Sequence, residues 1–543
     1  MNIIRSLSLR GLLQVFLLVA FAGLAVGQAM KVSPTPTPAL LPLKNAKTGQ
    51  TLDDLRAKIR DRMLSPEVSR GRVGIKITSL KSGKVIFEND AEKYFIPASN
   101  MKNFTVAAAL EKLGPDFRFV TSVYADAKPD GAGTIKGDLR IFGRGDISIS
   151  TAFNNGDYYK GIDNLVDKIA AAGVRRVEGD LVGDESYFHG NPIPPTWEAD
   201  DLQWYDGAEI SPLSVNNNAV DLTVKGGSPG APCVVSLLPT NTFYKITNTC
   251  TTTSARTSRA LVVKKSLEQN SVSISGSMPA ADSWTGYITF THPADLFIAL
   301  LKQRLSKKSI VVTGGVRTSC GPDGQRPPQR SLEPLAQMDT GELARLESPP
   351  LSVIVAKTMK PSQNMFTETI LWTLGEVAAP MRDYVDLSGV IQPAPRRPDS
   401  PALGLQKVKE VMEDAHIPPD AVLQYDGSGM SRHDQVTPSA VVQLYTYMAK
   451  QSKNTQVWRD SLTVGGVDGT LSRRFTGTAA AGNIRGKTGT LDQVSALSGY
   501  VTTAAGEELV VSIIVNGVAD THVRTSLIDD IVVQLANFNG KID

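Results

Sequence analysis

Three short motifs follow one another along this chain, and they constrain its fold more than any other feature. They are Ser99-Asn-Met-Lys102, Ser362-Gln-Asn364 and Lys487-Thr488-Gly489. Each motif alone carries little weight, but together they describe one site assembled from distant parts of the chain. A serine followed three residues later by lysine predicts a nucleophile that gives its proton to an amine. That chemistry requires burial or another positive charge to lower the pKa of the lysine.

The first motif lies at the start of a predicted helix over residues 100–113. Lys102 is about one turn beyond Ser99, so the amine and the hydroxyl can meet on the same helix face. A helix N-terminus also favours negative charge that develops near the serine. The alternative is an N-cap serine followed by an exposed lysine, since serine is a preferred cap.

The second motif follows Pro361 and leads into a predicted helix over 366–377, so it lies at a junction between a turn and a helix. Such a junction can present Ser362 and Asn364 to a cleft. The hydroxyl can relay a proton, and the amide offers both a donor and an acceptor to a peptide substrate. The same pattern recurs at Ser214-Val-Asn216 in an Asn-rich turn segment, so Ser-x-Asn alone is weak evidence.

The third motif, with Thr490 after it, precedes a β-hairpin predicted for 496–515 and can therefore line the edge of a sheet. Gly489 removes a side chain where a substrate backbone must approach closely. Lys487 and Thr488 can bind a carboxylate. A second copy, Lys47-Thr-Gly49, lies before the nucleophile and has no strand pattern around it.

Residues 481–488 also fit a relaxed phosphate-loop pattern in which alanine takes the place of the first glycine. A phosphate loop opens a helix after a buried strand, whereas strand-like sequence follows here within a few residues. This context disfavours nucleotide binding.

The composition describes a globular protein and excludes one class of partner. The chain has 543 residues, which predicts two or three domains, with 41% hydrophobic and 20% charged residues. A net charge of +3 is almost neutral over this length, and no basic tract occurs. We therefore expect no nucleic-acid partner.

The N-terminal residues predict export. Arg5 and Arg10 precede the apolar residues 11–27, which end in small side chains typical of a cleaved signal peptide. The alternative is an uncleaved membrane anchor, because the apolar run is near the lower limit for a spanning helix. Residues 28–48 form a Pro-rich linker.

Cysteine placement is consistent with export. Cys233 and Cys250 lie in one turn-rich and Thr-rich segment, and an oxidising compartment would allow them to form a disulfide. The alternative is unrelated buried thiols, because sequence does not determine which cysteines pair.

Helical and strand patterns at both ends of the chain bracket a strand-rich middle. The simplest interpretation is an α/β (α+β) catalytic domain interrupted by an insertion between the first and second motifs. The interval from Ser99 to Ser362 has room for one or two inserted domains of usual size.

The order of the motifs and the long insertion resemble the low-molecular-mass class C, three-domain penicillin-binding proteins. That family comprises D-alanyl-D-alanine carboxypeptidases and endopeptidases of the bacterial periplasm. Two further segments carry the resemblance. Tyr425-Asp-Gly-Ser-Gly-Met-Ser-Arg432 is similar to the family's Asp-Gly-Ser-Gly-Leu-Ser-Arg, and Phe142-Gly-Arg-Gly-Asp146 to its Gly-x-Gly-Asp-Pro. Ile147 stands where the family has proline.

The resemblance implies a β-lactamase/transpeptidase-like catalytic domain with a strand-rich inserted region of two smaller domains. We place the boundaries as follows: catalytic domain 49–120 and 291–543, inserted domain II 121–155 and 215–290, and domain III, nested in II, 156–214.

The resemblance also implies roles for the motif residues. Ser99 attacks the carbonyl between two D-alanines with Lys102 as base, and Ser362 passes a proton to the leaving amine. The remaining residues bind substrate: Asn364 orients the peptide, Lys487 and Thr488 grip its carboxylate, Thr490 and Ser99 supply oxyanion-hole N–H groups beside Gly489, and Asp146 recognises a diamino-acid side chain. No metal or organic cofactor is needed.

The resemblance therefore predicts a periplasmic serine DD-carboxypeptidase/endopeptidase whose partners are peptidoglycan stem peptides, with β-lactams as covalent inhibitors. Peripheral association with a membrane and the oligomeric state are left open. One alternative is a β-lactamase, which would have a shorter interval between the first two motifs. Another is a non-catalytic cell-wall-binding protein on the same scaffold, against which the intact motif residues argue.

Overall fold

A computed structural model of the chain describes residues 50–240, 243–319, 341–378, 384–385, 391–392 and 398–542. The predicted signal peptide or membrane anchor at 1–27, the linker at 28–48 and the Lys47 copy of the third motif lie outside these residues. Within the described ranges, no helix has the length and apolar character needed to cross a membrane.

The helices begin where the sequence supplies caps. Thr51, Thr437 and Asp520 each accept a hydrogen bond from a backbone N–H in the first turn of the helix that follows. In chain order the α-helices of the described residues are α1 (Leu52–Met63), α2 (Lys102–Lys112), α3 (Lys160–Ala171), α4 (Pro293–Lys307), α5 (Leu351–Met359), α6 (Asn364–Ala378), α7 (Ser400–Asp414), α8 (Pro438–Lys450), α9 (Thr455–Ser461) and α10 (Thr521–Asn537).

The strands before residue 240 are β1 (Arg72–Ser79), β2 (Val85–Asn89), β3 (Val120–Tyr124), β4 (Thr134–Ile135), β5 (Leu139–Gly143), β6 (Arg176–Val177), β7 (Leu181–Asp184), β8 (Ala219–Lys225) and β9 (Val234–Leu238). Those after it are β10 (Lys245–Asn248), β11 (Thr251–Thr253), β12 (Ala260–Lys265), β13 (Ser271–Pro279), β14 (Ser283–Thr289), β15 (Val311–Val312), β16 (Val316–Thr318), β17 (Glu342–Glu347), β18 (Tyr384–Val385), β19 (Ile391–Gln392), β20 (Val422–Leu423), β21 (Gln435–Val436), β22 (Thr463–Val464), β23 (Arg485–Leu491), β24 (Val494–Thr502) and β25 (Glu508–Asn516).

The main sheet combines both ends of the described chain. Its order is β2-β1-β25-β24-β23-β22, and each neighbouring pair is antiparallel. Residues on these strands alternate between two cores, as the period of two requires. Leu497 and Ile513 face the core that contains α1 and α10, whereas Ala496 and Ile514 face the core that contains α2 and α5 to α9. The predicted terminal hairpin is confirmed as β24 and β25, and α10 follows it.

Helix α2 is the centre of the helical layer on the second face. Every residue from Lys102 to Leu110 is buried, because α5, α6, α7 and α8 surround the helix. A helix that is buried on all sides keeps a polar residue only where that residue has a partner. The fold therefore places the lysine of the first motif in the protein interior.

The inserted region has its own sheet and its own core. The order of the sheet is β16-β7-β5-β3-β17, and helices α3 and α4 pack against it. Two smaller sheets lie within residues 219–289, one formed by β14-β8-β9 and the other by β10 to β13. The predicted disulfide between Cys233 and Cys250 is present there, with the Cα atoms 5.4 Å apart.

The strand pairing differs from the predicted domain boundaries in two places. We predicted a return to the catalytic domain at residue 291, but α4 packs on β7 and β17 pairs with β3. We predicted a nested domain at 156–214, but β7 pairs with β5 in one sheet. Neighbouring strands in a sheet come from distant parts of the sequence here, so sequence intervals do not reveal which segments pair.

Candidate active site

The first motif forms a tight turn in front of α2. Ala98–Met101 is a 3-10 helix that continues directly into α2, and Ala98 adopts a left-handed conformation with φ of 48°. Lys102 thus follows Ser99 by one turn, as predicted, and its Nζ lies 2.8 Å from Ser99 Oγ. Ser99 is partly exposed, whereas Lys102 is 0% exposed. The alternative of an exposed lysine is wrong.

The Lys102 amine has three close neighbours. Besides Ser99, it donates to Asn364 Oδ1 at 2.6 Å and to the carbonyl of Ser428 at 2.7 Å. Burial lowers the pKa of Lys102 to about 8, and the nearby carboxylates of Asp426 and Glu368 offset part of that effect. About a tenth of the amine is therefore neutral at pH 7, far more than for an exposed lysine, and the neutral amine is the form that can accept a proton.

The second motif joins the first at the start of α6. Ser362 has a left-handed backbone with φ of 68°, and Asn364 is the first residue of the helix. Asn364 is buried and connects Lys102 to the inserted region. Its Oδ1 accepts from Lys102, and its Nδ2 donates to the carbonyl of Asp206, a residue of the inserted region, at 3.3 Å. The other copy of the pattern is elsewhere: Ser214 is buried and donates to the carbonyl of Ser211.

The third motif lies on β23, next to the short edge strand β22. Strand β22 pairs only with Arg485 and Gly486, so residues 487–491 have no strand beyond them in the described part of the chain. The predicted sheet-edge position is therefore confirmed. Because strand β23 begins at Arg485, within residues 481–488, and no helix begins there, the phosphate-loop alternative is wrong.

Lys487 links the third motif to the second. Its Nζ donates to Ser362 Oγ at 2.7 Å and to the carbonyl of Thr488 at 2.8 Å. Lys487 is 0% exposed, and burial together with the charge of Lys102 lowers its pKa well below the usual lysine value. The Thr488 hydroxyl lies 2.7 Å from the Thr470 hydroxyl.

Gly489 packs closely against the turn of the nucleophile, and the predicted approach of a substrate backbone to this residue stays a prediction. A Cβ atom at this position would lie 2.5 Å from the carbonyl oxygen of Pro97 and 3.2 Å from the Ala98 Cβ. The missing side chain therefore lets β23 pack against the Ser99 turn. Thr490, the next residue, is exposed beside that turn.

Asp146 is buried away from these hydrogen bonds. It is 1% exposed, and its Oδ1 accepts from the backbone N–H of Ser148 at 2.9 Å and from the Ser148 hydroxyl at 2.6 Å. Its Oδ2 has no partner among the described residues. Burial raises the pKa of Asp146 to about 6. The adjacent Gly145 packs against Thr369 and Thr373 of α6.

Sequence reasoning missed a buried acidic group behind Lys102. Glu368 accepts from the backbone N–H groups of Gly427 and Ser428; burial and the charge of Asp426 raise its pKa, and these hydrogen bonds, which favour the carboxylate, act in the opposite direction. Asp434 is buried beside Asp426, and its pKa is raised well above the usual value. A signal existed for Glu368 alone, because it lies on the helix predicted for 366–377 and follows Asn364 by four residues, the spacing of neighbours on one helix face.

The inserted region also reaches this site, and no local signal announced it. The indole N–H of Trp197 donates to Asp426 Oδ2 at 2.8 Å, and the Arg432 guanidinium pairs with Glu198 at 3.0 Å. The Asp206 carbonyl, described above, makes the contact with Asn364. These side chains are far from the motifs in sequence, so only the fold reveals them.

Known proteins resemble this chain over most of its length. The sequence profile of the D-Ala-D-Ala carboxypeptidase 3 (S13) family matches residues 55–538. The D-alanyl-D-alanine carboxypeptidase of Actinomadura sp. (strain R39) is 31% identical over 516 residues, covering 93% of this chain and 88% of the relative. The D-alanyl-D-alanine carboxypeptidase DacB of Haemophilus influenzae is 24% identical over 452 residues, covering 82% and 85%.

A solved structure shares the fold. The crystal structure of penicillin binding protein 4 (dacB) from Haemophilus influenzae superposes with a TM-score of 0.69 at 22% identity, covering 85% of this chain and 94% of that one. The predicted fold class and the predicted resemblance are both confirmed. From the profile match and the identity to the Actinomadura relative, this chain belongs to the D-Ala-D-Ala carboxypeptidase 3 (S13) family.

Proposed function

We propose that this protein, an enzyme of the serine D-Ala-D-Ala carboxypeptidase class, works through an acyl-enzyme on Ser99. The observation that carries the proposal is the 2.8 Å contact between Ser99 Oγ and the fully buried Lys102 amine, whose pKa is about 8. The neutral amine takes the hydroxyl proton while Oγ attacks the carbonyl between the two D-alanines.

The tetrahedral intermediate needs donors for its oxyanion. We assign this role to the backbone N–H groups of Ser99 and Thr490, and the packing of Gly489 against the Ser99 turn supports their proximity. In other enzymes one such donor contributes about 3–4 kcal/mol to the rate. The intermediate collapses when the C–N bond breaks and the terminal D-alanine leaves.

The leaving amine needs a proton, and we assign its delivery to Ser362. The Ser362 hydroxyl contacts the Lys487 amine at 2.7 Å, which ties it to the residue that binds the terminal carboxylate together with Thr488. Asn364 orients the peptide. Water then attacks the ester carbonyl, Lys102 again accepts a proton, and hydrolysis frees Ser99 and the shortened peptide.

The substrate is a peptidoglycan stem peptide, and penicillins acylate the same serine. Another structure of the Haemophilus influenzae protein is complexed with a novel β-lactam, and its coverage of this chain is 88%. Endopeptidase action on cross-links is part of the proposal, because it uses the same residues on a longer leaving group. Asp146 keeps its proposed role in recognising a diamino-acid side chain. Its Oδ2 has no hydrogen-bond partner among the described residues and would accept a hydrogen bond from a substrate amine.

We also propose a periplasmic location. The signal-peptide pattern of residues 1–27 and the disulfide between Cys233 and Cys250 support it, because such bonds persist in oxidising compartments. Comparison of the N-terminus of the mature protein with the full sequence tests this point: a chain that keeps residues 1–27 would be anchored instead.

The proposal is tested by labelling the protein without residues 1–27 with a fluorescent penicillin and mapping the adduct by mass spectrometry. We expect a slowly hydrolysed adduct on Ser99 that is absent from Ser99→Ala and unchanged in Ser214→Ala, the serine of the unused motif copy. Release of D-alanine from a stem peptide should depend on Ser99 in the same way. Rapid penicillin turnover would indicate a β-lactamase, and a folded protein without any adduct would indicate a non-catalytic binding protein.

A further inference from the structure

A lysine that acts as a base has to present its lone pair to the serine hydroxyl. A neutral amine has two N–H groups and one lone pair, and three atoms surround the Lys102 amine: Ser99 Oγ, Asn364 Oδ1 and the Ser428 carbonyl oxygen. The last two oxygens only accept hydrogen bonds. When they take both N–H groups, the lone pair is left facing Ser99.

Asn364 and Ser428 therefore decide the orientation of the base. Asn364 is held by helix α6, whereas the Ser428 carbonyl belongs to a turn formed by residues 426–429. The turn has little intrinsic rigidity, since residues 427 and 429 are both glycine. Hydrogen bonds from side chains outside the turn are therefore needed to fix the direction of the Ser428 carbonyl.

Glu368 holds two successive peptide groups of that turn. One carboxylate oxygen accepts from the Gly427 N–H at 2.9 Å, and the other accepts from the Ser428 N–H at 2.7 Å. Asp426 accepts from the Gly429 N–H at 2.6 Å, and the Thr105 hydroxyl donates to the Gly427 carbonyl. Glu368 is 1% exposed, so solvent does not compete for these bonds.

The turn is also closed in by its surroundings. A Cβ atom at Gly427 would lie 3.2 Å from Glu368 Oε2, and one at Gly429 would lie 1.9 Å from the carbonyl oxygen of Ala98. The turn is thus wedged between Glu368 on one side and the turn of the nucleophile on the other. A small rotation of its peptide groups would move the Ser428 carbonyl relative to both Lys102 and Ser99.

We propose that Glu368 is a positioning residue for the catalytic base: by holding the N–H groups of Gly427 and Ser428, it aims the Ser428 carbonyl at Lys102 and so directs the amine lone pair towards Ser99. Glu368 lies one helical turn after Asn364, so α6 controls both acceptors of the amine. The inference rests on the proposed function, because it concerns the activation of Ser99.

The Glu368→Gln variant separates this role from ordinary packing. Glutamine has nearly the same shape, but its amide nitrogen donates, so one of the two turn N–H groups loses its acceptor. Glu368→Asp keeps the carboxylate but shortens its reach. Asp138→Asn is the matched control, because the Asp138 carboxylate also accepts a backbone N–H, that of Asp180 at 2.8 Å, in the inserted region.

The experiment measures the non-covalent dissociation constant and the acylation rate constant of a fluorescent penicillin separately. We expect Glu368→Gln to lower the acylation rate constant about 100-fold while changing the dissociation constant less than about threefold, since the base and not the binding cleft is disturbed. The acylation rate constant of Glu368→Asp should be about tenfold higher than that of Glu368→Gln. Asp138→Asn should match the wild type in both constants.

The outcomes distinguish the inference from the function on which it rests. A wild-type protein that is not acylated at Ser99 would overturn the proposed function and the inference with it. A folded Glu368→Gln protein with a wild-type acylation rate, or with only weaker binding, would overturn the positioning role alone. If Glu368→Gln does not fold, the acylation rate of Glu368→Asp tests the proposal. A wild-type rate in this variant would overturn the positioning role of Glu368.

Discussion

The pocket of Lys102 and the strand edge around Lys487 differ in the charges that act on the lysine amine, although both lysines are 0% exposed. Carboxylates of Asp426, Glu368, Asp206 and Asp434 surround Lys102 and offset part of its desolvation, so its pKa falls only to about 8. Lys487 has no such group among its hydrogen-bond partners in the described residues, and the charge of Lys102 adds to the effect of burial on its pKa.

The difference teaches that burial alone does not determine what a lysine does. The protein supplies its own acidic groups around Lys102, and their attraction for the ammonium form keeps its pKa in the range where a base operates. For Lys487 we expect the countercharge to arrive with the substrate, as the terminal carboxylate. We therefore propose that Lys102 is prepared for proton transfer and Lys487 for recognition of the substrate carboxylate.

The largest expected effect comes from removing the amine from the first pocket. Lys102→Met should lower the rate of penicillin acylation by about 10³-fold, because Ser99 loses its general base while the buried volume is nearly kept. Stopped-flow fluorescence measures the rate, and circular dichroism checks folding. Lys112→Met, in the last turn of the same helix, is the control and should react like the wild type. A Lys102→Met protein within tenfold of the wild type would assign the base elsewhere.

The next effect tests recognition by the second lysine. Lys487→Met should lower kcat/KM for a peptide ending in D-Ala-D-Ala by about 10²-fold, because the substrate carboxylate would be buried without a partner. The same peptide with an amidated C-terminus serves as the control substrate, and its already weak turnover should change much less. An equal loss for both peptides would show that Lys487 acts only through Ser362.

A smaller effect follows from titrating the base. In the proposed mechanism the neutral form of Lys102 is the active one, so acylation should rise by about tenfold per pH unit below its pKa of about 8 and level off above it. The acylation rate of a non-ionising β-lactam ester over that range measures the profile. Thermal unfolding at each pH checks that the protein stays folded. A flat profile would mean that the serine proton goes to a group with a different pKa.

The smallest effect concerns the contact between the inserted region and the Lys102 pocket. Trp197→Phe removes the indole N–H that donates to Asp426 and should lower stability by about 1–3 kcal/mol, with a few-fold loss of acylation. Urea unfolding and penicillin labelling measure the two effects. Trp284→Phe, on strand β14 of the inserted region, is the control for loss of an indole. Unchanged acylation in Trp197→Phe would show that Asp426 is held by its backbone partners alone.

The sequence predicted those parts of the fold whose signals are local. The hairpin of β24 and β25 and the helices α2 and α6 follow from periodicity and turn residues over a few positions. The return to the catalytic domain predicted at residue 291 does not match the strand pairing. Strand β17 pairs with β3, and most of the inserted region lies between these two strands in the sequence. Pairing at such separations depends on tertiary packing that no short window contains.

The sequence by itself determined the chemistry of this protein: a serine, a lysine one turn later, and two further motifs in an order typical of one family. The tertiary structure decided the conditions under which that chemistry operates. It buried Lys102 among carboxylates, placed Glu368 behind the turn at Ser428, and brought Trp197 from the inserted region to Asp426. The physical reason is that a pKa and a lone-pair direction depend on every group within a few ångströms, and those groups come from distant parts of the chain.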